Sequence, residues 1–371
     1  MRIGLNAQIL TDGRTGVTRF AKNVIQLLPE IGVEHEFIIF GNPHDVVAQQ
    51  INVTLVPTPA LINSSAKRII WEQTMLPYLI NNLNIDLMYY PDHTSPVYRL
   101  KSIVIITVHD VSTFAVPETV GIARRLYKQA VIKRSVQLCD AILTGSEATK
   151  EEIIKYLPLS AHKTNVVLYG LEESIAPVKD DFILSSIKAK YQLTTPYILH
   201  VGTIEARKNI IRIVRAFARG RKSHQWKQRL VLVGAPGYGF DDIERTIAEE
   251  NVKDLVTITG YVDDNDLPGI YSLADVLIYP SLYEGFGFPP LEAMKCGCPV
   301  VASYATSLPE VIGDAGILVN PYNENEIFDA LHRVITDNKL HNELAQKGKD
   351  RIRQFTWKKT VEGILHVMTH M

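Results

Sequence analysis

Two carboxylates, Glu284 and Glu292, bracket the stretch EGFGFPPLE. The preceding VLIYPS has the length and composition of a buried strand, and Pro289-Pro290 suit a helix start, so the stretch reads as a strand-to-helix turn. Gly285 and Gly287, with Phe286 between them, allow another group to approach the backbone of that turn closely. This places Glu284 in the loop and Glu292 in the first turn of the helix. Backbone N–H groups at a helix mouth favour an anion, and a carboxylate accepts hydrogen bonds from two neighbouring sugar hydroxyls at once. A sugar nucleotide would satisfy both. The plainer reading is a helix start made acidic to suit its dipole.

A charged pair of the opposite sign, Arg207 and Lys208 in VGTIEARKN, stands between another buried strand and the helix IIRIVRAFARG. Cations there clamp a diphosphate whose negative charge grows as a bonded sugar departs. A merely solvated basic helix start would run against the dipole. TVHDVSTF puts His109 and Asp110 directly after the strand IVIIT, with Asp110 placed to orient His109 or an acceptor hydroxyl. A lone histidine is more often structural. Gly13 and Gly16 precede an amphipathic helix carrying Val17, Phe20, Val24, Leu27 and Leu28 on one side, a turn that suits phosphate or simply turns the chain. Ser146 reads as an N-cap, with Glu147 in the first turn behind it. Asp264-Asn265-Asp266 is formally a metal-binding D-x-D, but it follows an apolar strand and precedes a helix, where acids suit the dipole. No catalytic metal is expected.

The elements that carry these residues alternate. RIGLN, EFIIFG, VTLV, DLMYYP, IVIITVHD, AILTGS and VVLYG are short apolar runs separated by helical patterns. After a polar stretch the rhythm resumes with YILHVGT, RLVLVGA, LVTITG, VLIYPS, PVVAS and GILV. This predicts an α/β chain of two Rossmann-like, doubly wound domains, 1–172 and 196–354, joined by a linker at 173–195. Ligands of such sheets bind beyond the carboxyl ends of the strands, here in a cleft between two facing sheets. The length of 371 residues fits two domains. Gly234, Gly237 and Gly239 are spaced G-x-x-G-x-G, not as a dinucleotide fingerprint, which argues against an oxidoreductase.

Lys+Arg 39 against Asp+Glu 40, a formal net charge of -1, excludes the global basic field of a nucleic-acid binder. Three cysteines, Cys139, Cys296 and Cys298, form no disulfide framework and point to a reducing compartment, with Cys296-Gly-Cys298 packed in the core. No charged leader and no run of about 18 apolar residues is present, so a cytoplasmic protein is expected, at most resting on a membrane surface. Arg124, Arg125, Lys128, Lys133 and Arg134 with no intervening acid, together with Lys67, Arg68 and Trp71, suit anionic lipid or a solvated basic face.

The EGFGFPPLEA wording resembles the E-x7-E signature of the retaining GT-B glycosyltransferases of family 4, and the resemblance extends over nearly the full length. It implies a metal-independent transfer of a hexose from a nucleoside diphosphate to a glycan hydroxyl, with retention at the anomeric carbon and no cofactor. The two glutamates do not form the close carboxylate pair that a double displacement needs, which favours a front-face mechanism. By the same resemblance Glu284 meets the sugar with Gly285, Phe286 and Gly287, and Glu292 meets the ribose. Lys208 touches phosphate, and Arg207 replaces an arginine whose usual place is taken by Thr203. His109 meets the donor sugar and offers its backbone carbonyl to the anomeric carbon. Gly16 belongs to the family's glycine loop, Val262 lies beside the nucleobase, and Glu310 approaches the ribose or base, in a loop where Ser307 replaces the usual glycine. The segment 355–371 would cross back to the first domain.

VHD and GTIEARKN resemble the mannosyltransferase branch, which implies GDP-mannose as donor, a UDP-sugar being the alternative. A lipid-linked glycan of surface polysaccharide or O-antigen assembly is the acceptor this suggests. A nucleotide-sugar epimerase, which needs no acceptor, and a noncatalytic nucleotide-sugar sensor share the architecture.

Overall fold

The computed structural model describes residues 1–11, 16–43, 50–59 and 65–371. Gly13 lies outside them. The chain separates into two compact units, one of Met1–Phe114, Ile122–Gly170 and Phe355–Met371, the other of Ala115–Gly121 and Leu171–Gln354.

Strands of the first unit are β1 (Arg2–Asn6), β2 (Glu36–Phe40), β3 (Val53–Val56), β4 (Leu87–Tyr90), β5 (Ile103–Thr107), β6 (Ala141–Thr144) and β7 (Thr164–Val166). All pair in parallel, in the order β3-β2-β1-β4-β5-β6-β7. The helices in chain order begin with α1 (Gly16–Ile31), α2 (Ser65–Asn82), the single turn α3 (Ser112–Ala115), α4 (Ile122–Leu138) and α5 (Glu147–Tyr156). The run VVLYG was expected to be a strand, yet β7 ends at Val166, its first residue.

In the second unit β8 (Tyr197–Val201), β9 (Arg229–Val233), β10 (Val256–Gly260), β11 (Val276–Tyr279), β12 (Val300–Ser303) and β13 (Ile317–Val319) form a parallel sheet ordered β10-β9-β8-β11-β12-β13. Its helices are α6 (Asp181–Lys190), α7 (Ile210–Ser223), α8 (Phe240–Glu249), α9 (Leu267–Leu273), α10 (Phe288–Lys295), α11 (Leu308–Ile312), α12 (Glu324–Thr336) and α13 (Asn338–Arg351). The last helix, α14 (Trp357–Thr369), packs on α1.

The inner strands are apolar nearly end to end because helices cover both faces of a parallel sheet, whereas the outer strands β3 and β10 are only partly buried. On one face of the second sheet, Ile198, Leu232 and Ile278 meet Ile213 and Phe217 of α7 and Phe328 and Leu331 of α12, all buried. Each such side chain stabilises the fold by about 1.5–3 kcal/mol on burial. In both sheets the direction of winding reverses beside the first strand, between β1 and β4 and between β8 and β11. Loops leaving adjacent strands diverge there, which opens a crevice at the carboxyl ends.

Two expected placements need correction. Trp71 is buried in the first unit, so it is no interfacial anchor; Ile70, Met75 and Tyr78 are the exposed apolar residues of α2. The indole is large and apolar enough that a position facing the core captures it, whatever charges flank it in sequence. Glu292 is not at the helix mouth, because α10 already begins at Phe288 and places both prolines in its first turn.

Candidate active site

Lys208 and Glu284 come from the loops after β8 and β11, the two sides of the reversal in the second sheet. The chain leaves β8 through a short 3-10 turn, Ala206–Lys208, and reaches α7 through Asn209 in the left-handed conformation. That turn drives the Lys208 side chain inward, where it is 6% exposed. Its ammonium donates to Glu284 Oε1 and to the Tyr279 hydroxyl, both at 2.6 Å, and lies over the Tyr279 ring. Such burial rules out a solvated basic helix start.

Arg207 faces the same carboxylate at 3.3 Å, donates to the Tyr283 carbonyl at 2.7 Å and pairs with Glu205 at 2.8 Å. Burial opposes the charge on Glu284, but the neighbouring Lys208 and Arg207 outweigh it and hold the carboxyl down to about 2. Burial pushes the Lys208 ammonium down, against the pull of Glu284. Two cations and two carboxylates thus form a charge-balanced cluster, in which each ion keeps a partner of opposite sign.

The loop that presents Glu284 is held from behind. Its N–H donates to Thr306 Oγ1 at 2.9 Å, and Ser307 Oγ–H lies 3.0 Å from the carbonyls of both Glu284 and Phe286. Ser307 therefore supplies a fully buried clasp that a glycine lacks. Phe286 is buried and packs edge-on against Phe288. Gly287 has φ +105°, and a Cβ there would stand 2.7 Å from Leu308 Cδ2, so this position requires glycine twice over. Asn209 ties three strand ends together, donating from its side-chain amide to the carbonyls of Pro280 at 3.0 Å and Pro321 at 2.7 Å.

Glu292 lies in the interior of α10, 1% exposed, and accepts from the Tyr271 hydroxyl of α9 at 2.8 Å. An acid chosen to suit the dipole would sit exposed in the first turn, so that plainer reading fails. Val262 is buried just beyond β10. Glu310 is half-buried in the first turn of α11, its carbonyl bound by Arg351. Within the second unit the structure brings Arg207, Lys208 and Glu284 into direct contact.

In the first unit the loops after β4 and β5 meet. The His109 imidazole faces the Pro91 carbonyl through Nε2 at 2.9 Å and the Tyr169 hydroxyl through Nδ1 at 2.9 Å. A carbonyl only accepts, so Nε2 carries the proton and Nδ1 accepts from tyrosine. Desolvation favours that neutral ring and lowers its pKa to about 4. Phe20 of α1, the helix that Gly16 opens, packs edge-on against the same imidazole with centroids 4.9 Å apart. Asp110 accepts from Ser112 through both the backbone N–H and the hydroxyl.

Elsewhere Ser146 caps α5, accepting from Thr149 N–H. Asp266 stands at the N-cap of α9 but makes no capping bond; with Asp263 it binds Lys190 at 2.7 Å. Asp264 accepts from the Tyr261 hydroxyl. Among the described residues no three His, Cys, Asp or Glu side chains are placed to share a metal ion. The three cysteines are free and buried, which pushes the Cys296 thiol up to about 12.

Residues 185–351 match the family of glycosyl transferases group 1, and residues 14–174 match glycosyltransferase family 4. The chain belongs to the family 4, group 1 glycosyltransferases. Among its relatives, O-antigen chain mannosyltransferase B of Escherichia coli is 33% identical over 73% of this chain and 71% of that protein. O-antigen chain mannosyltransferase RfbU of Salmonella typhimurium is 27% identical over 94% of this chain and 97% of that protein. HepE of Anabaena, solved in complex with UDP-glucose, superimposes with a TM-score of 0.75 at 16% identity, covering 100% of both chains. The glycosyltransferase thus has the GT-B fold, built from two Rossmann-like parallel-sheet domains.

Several residues of this glycosyltransferase's cluster escape a reading by motif. Glu205 and Asn209 lie inside VGTIEARKN and look like ordinary turn residues. Tyr279 reads as a strand residue, Tyr271 as a helix core residue, and Thr306 gives no signal until its φ of +49° is seen.

Proposed function

We propose that this glycosyltransferase moves mannose from GDP-mannose to a hydroxyl of a lipid-linked surface glycan of the O-antigen kind, with retention at the anomeric carbon. The observation that carries the reading is the buried Lys208–Glu284 pair with Arg207 beside it, at the reversal of the second sheet. The two O-antigen mannosyltransferase relatives support the choice of sugar.

In this reading Lys208 and Arg207 hold the diphosphate, Glu284 accepts hydroxyls of the sugar with Gly285, Phe286 and Gly287 lining the turn, and Glu292 serves the ribose. Val262 and Glu310 flank the nucleoside. With both ring nitrogens of His109 committed, its backbone carbonyl is what it offers the anomeric carbon. The acceptor oxygen attacks C1 on the face the phosphate leaves; the C1–O phosphate bond breaks, and the acceptor's proton passes to the departing phosphate oxygen. Lys208 and Arg207 stabilise the charge that develops there, without a metal. The first unit would bind the acceptor and 196–354 the donor, and the glycine turn at Gly16 suits phosphate and acceptor.

A peripheral membrane contact fits the acceptor. Helix α4 exposes Arg124, Lys133 and Arg134 beside Ile122, Leu126 and Tyr127, an arrangement suited to an anionic lipid surface. No helix among the described residues is long and apolar enough to cross a membrane.

The test is incubation with GDP-mannose or UDP-glucose and a solubilised lipid-linked glycan fraction, followed by proton NMR of the new linkage. An α-mannosyl product formed without added divalent cation, with EDTA present, is expected. A β-linked product, transfer only from the UDP-sugar, or dependence on Mg²⁺ or Mn²⁺ would contradict the corresponding part.

A further inference from the structure

His200, the fourth residue of β8, lies fully buried beneath the Lys208–Glu284 cluster. Its Nδ1 faces the Ile278 carbonyl at 3.0 Å, which fixes the proton there and leaves Nε2 as a lone pair. The ring stacks on Tyr279, whose hydroxyl receives Lys208. Among the described residues Nε2 has no hydrogen-bond partner, an expensive condition for a buried acceptor. The missing side chain of Gly202 leaves a gap of about one methyl group beside it: a Cβ built there would stand 3.8 Å from His200 Nε2, 3.7 Å from Lys208 Nζ and 3.5 Å from Lys208 Cε. One side of that space therefore only accepts a hydrogen bond and the other only donates one. A bare phosphate oxygen satisfies Lys208 but not the lone pair. A hydroxyl satisfies both.

We propose that His200 Nε2 and Lys208 Nζ together bind one hydroxyl group over Gly202, accepting its proton bond at the imidazole and donating to its oxygen from the ammonium. This makes His200 a binding residue of the donor site. The hydroxyl comes from the transferred sugar or from a water that holds Lys208 in place. Being a feature of the second unit's cluster, the inference rests on the donor-site reading above.

Calorimetric titration of GDP-mannose and of GDP into the wild type and His200→Asn separates the cases. Asparagine keeps a donor to the Ile278 carbonyl and removes the Nε2 lone pair. A sugar hydroxyl predicts that GDP-mannose binds about fivefold to tenfold more weakly, as for one buried hydrogen bond, with GDP unchanged. A water predicts equal weakening of both. Unchanged binding of both overturns the inference while leaving the donor-site reading intact; failure of the wild type to bind GDP-mannose and GDP overturns that reading itself. Should His200→Asn not fold, nitrogen-15 NMR of the wild-type imidazole decides. An Nε2 resonance at the hydrogen-bonded position only after saturation with GDP-mannose assigns the sugar, and one already there in the free protein assigns water. An Nε2 signal at the non-bonded position in both states overturns the inference.

Discussion

Removing the Lys208 ammonium would leave Glu284 facing Arg207 alone, with its partner at 2.6 Å gone. The remaining arginine limits the damage to folding, but in the proposed donor site nothing replaces the buried ammonium. Lys208→Ala is therefore expected to fold and to lose about 100-fold or more in kcat, the usual scale for one group that stabilises developing charge. Turnover within threefold of wild type would move the clamp elsewhere. The two buried histidines make a separate prediction. His109 and His200 are each held down to about 4 by desolvation. Their folded pKa lies below the unfolded value of about 6.5, so the unfolded chain binds protons more readily between the two. Their contribution to stability is complete above pH about 6.5 and declines as pH falls through about 4, by about 1.4 kcal/mol per pH unit for each ring. Urea unfolding at pH 7 and pH 5 checks this, and His109→Phe and His200→Phe should each flatten the slope. A slope unchanged in both variants would contradict it. Glu284 adds its own loss lower down, between about 4.5 and about 2.

At the scale of elements, the entry to α10 is set by Gly287. Alanine there meets both a φ of +105° and Leu308, so Gly287→Ala should cost about 1–3 kcal/mol, measured by the urea midpoint, and displace Glu284 with it. An unchanged midpoint would mean the turn relaxes freely. Helix α4 makes a test outside the cluster. Removing the charges of Arg124, Arg125 and Lys128 should reduce sedimentation with phosphatidylglycerol vesicles at low salt, each basic group near the surface contributing about 1 kcal/mol. Equal sedimentation of variant and wild type would leave α4 a solvated face. Most of the parallel strands were legible because the inner ones are nearly continuous apolar runs; β7, with the sequence TNV, was not, and the apolar run that follows it is not a strand. The start of α10 was not: a glycine in the left-handed conformation and two prolines fix it, and only the backbone distinguishes the first turn from the second, where Glu292 is buried. Trp71 was misread for a related reason, since basic neighbours in sequence say nothing about which face of α2 meets the core.

Across the whole molecule, two sheets of the same winding carry their distinctive residues at the same kind of place. His109 follows β5 and binds the loop after β4; Lys208 and Glu284 follow β8 and β11. The family and the architecture were readable from motif wording and strand rhythm. The charge cluster was not, because its Lys208–Glu284 bond joins loops 76 residues apart and Glu205, Asn209, Thr306 and Ser307 act only once those loops meet. The central claim is that this cluster holds the diphosphate of a GDP-sugar. Calorimetric titration of GDP-mannose and UDP-glucose into the wild type and Lys208→Ala tests it most directly. Saturable binding of one GDP-mannose per chain, weaker binding of UDP-glucose, and a large loss of affinity in the folded variant are predicted. Equal affinity of wild type and Lys208→Ala for GDP-mannose would contradict it.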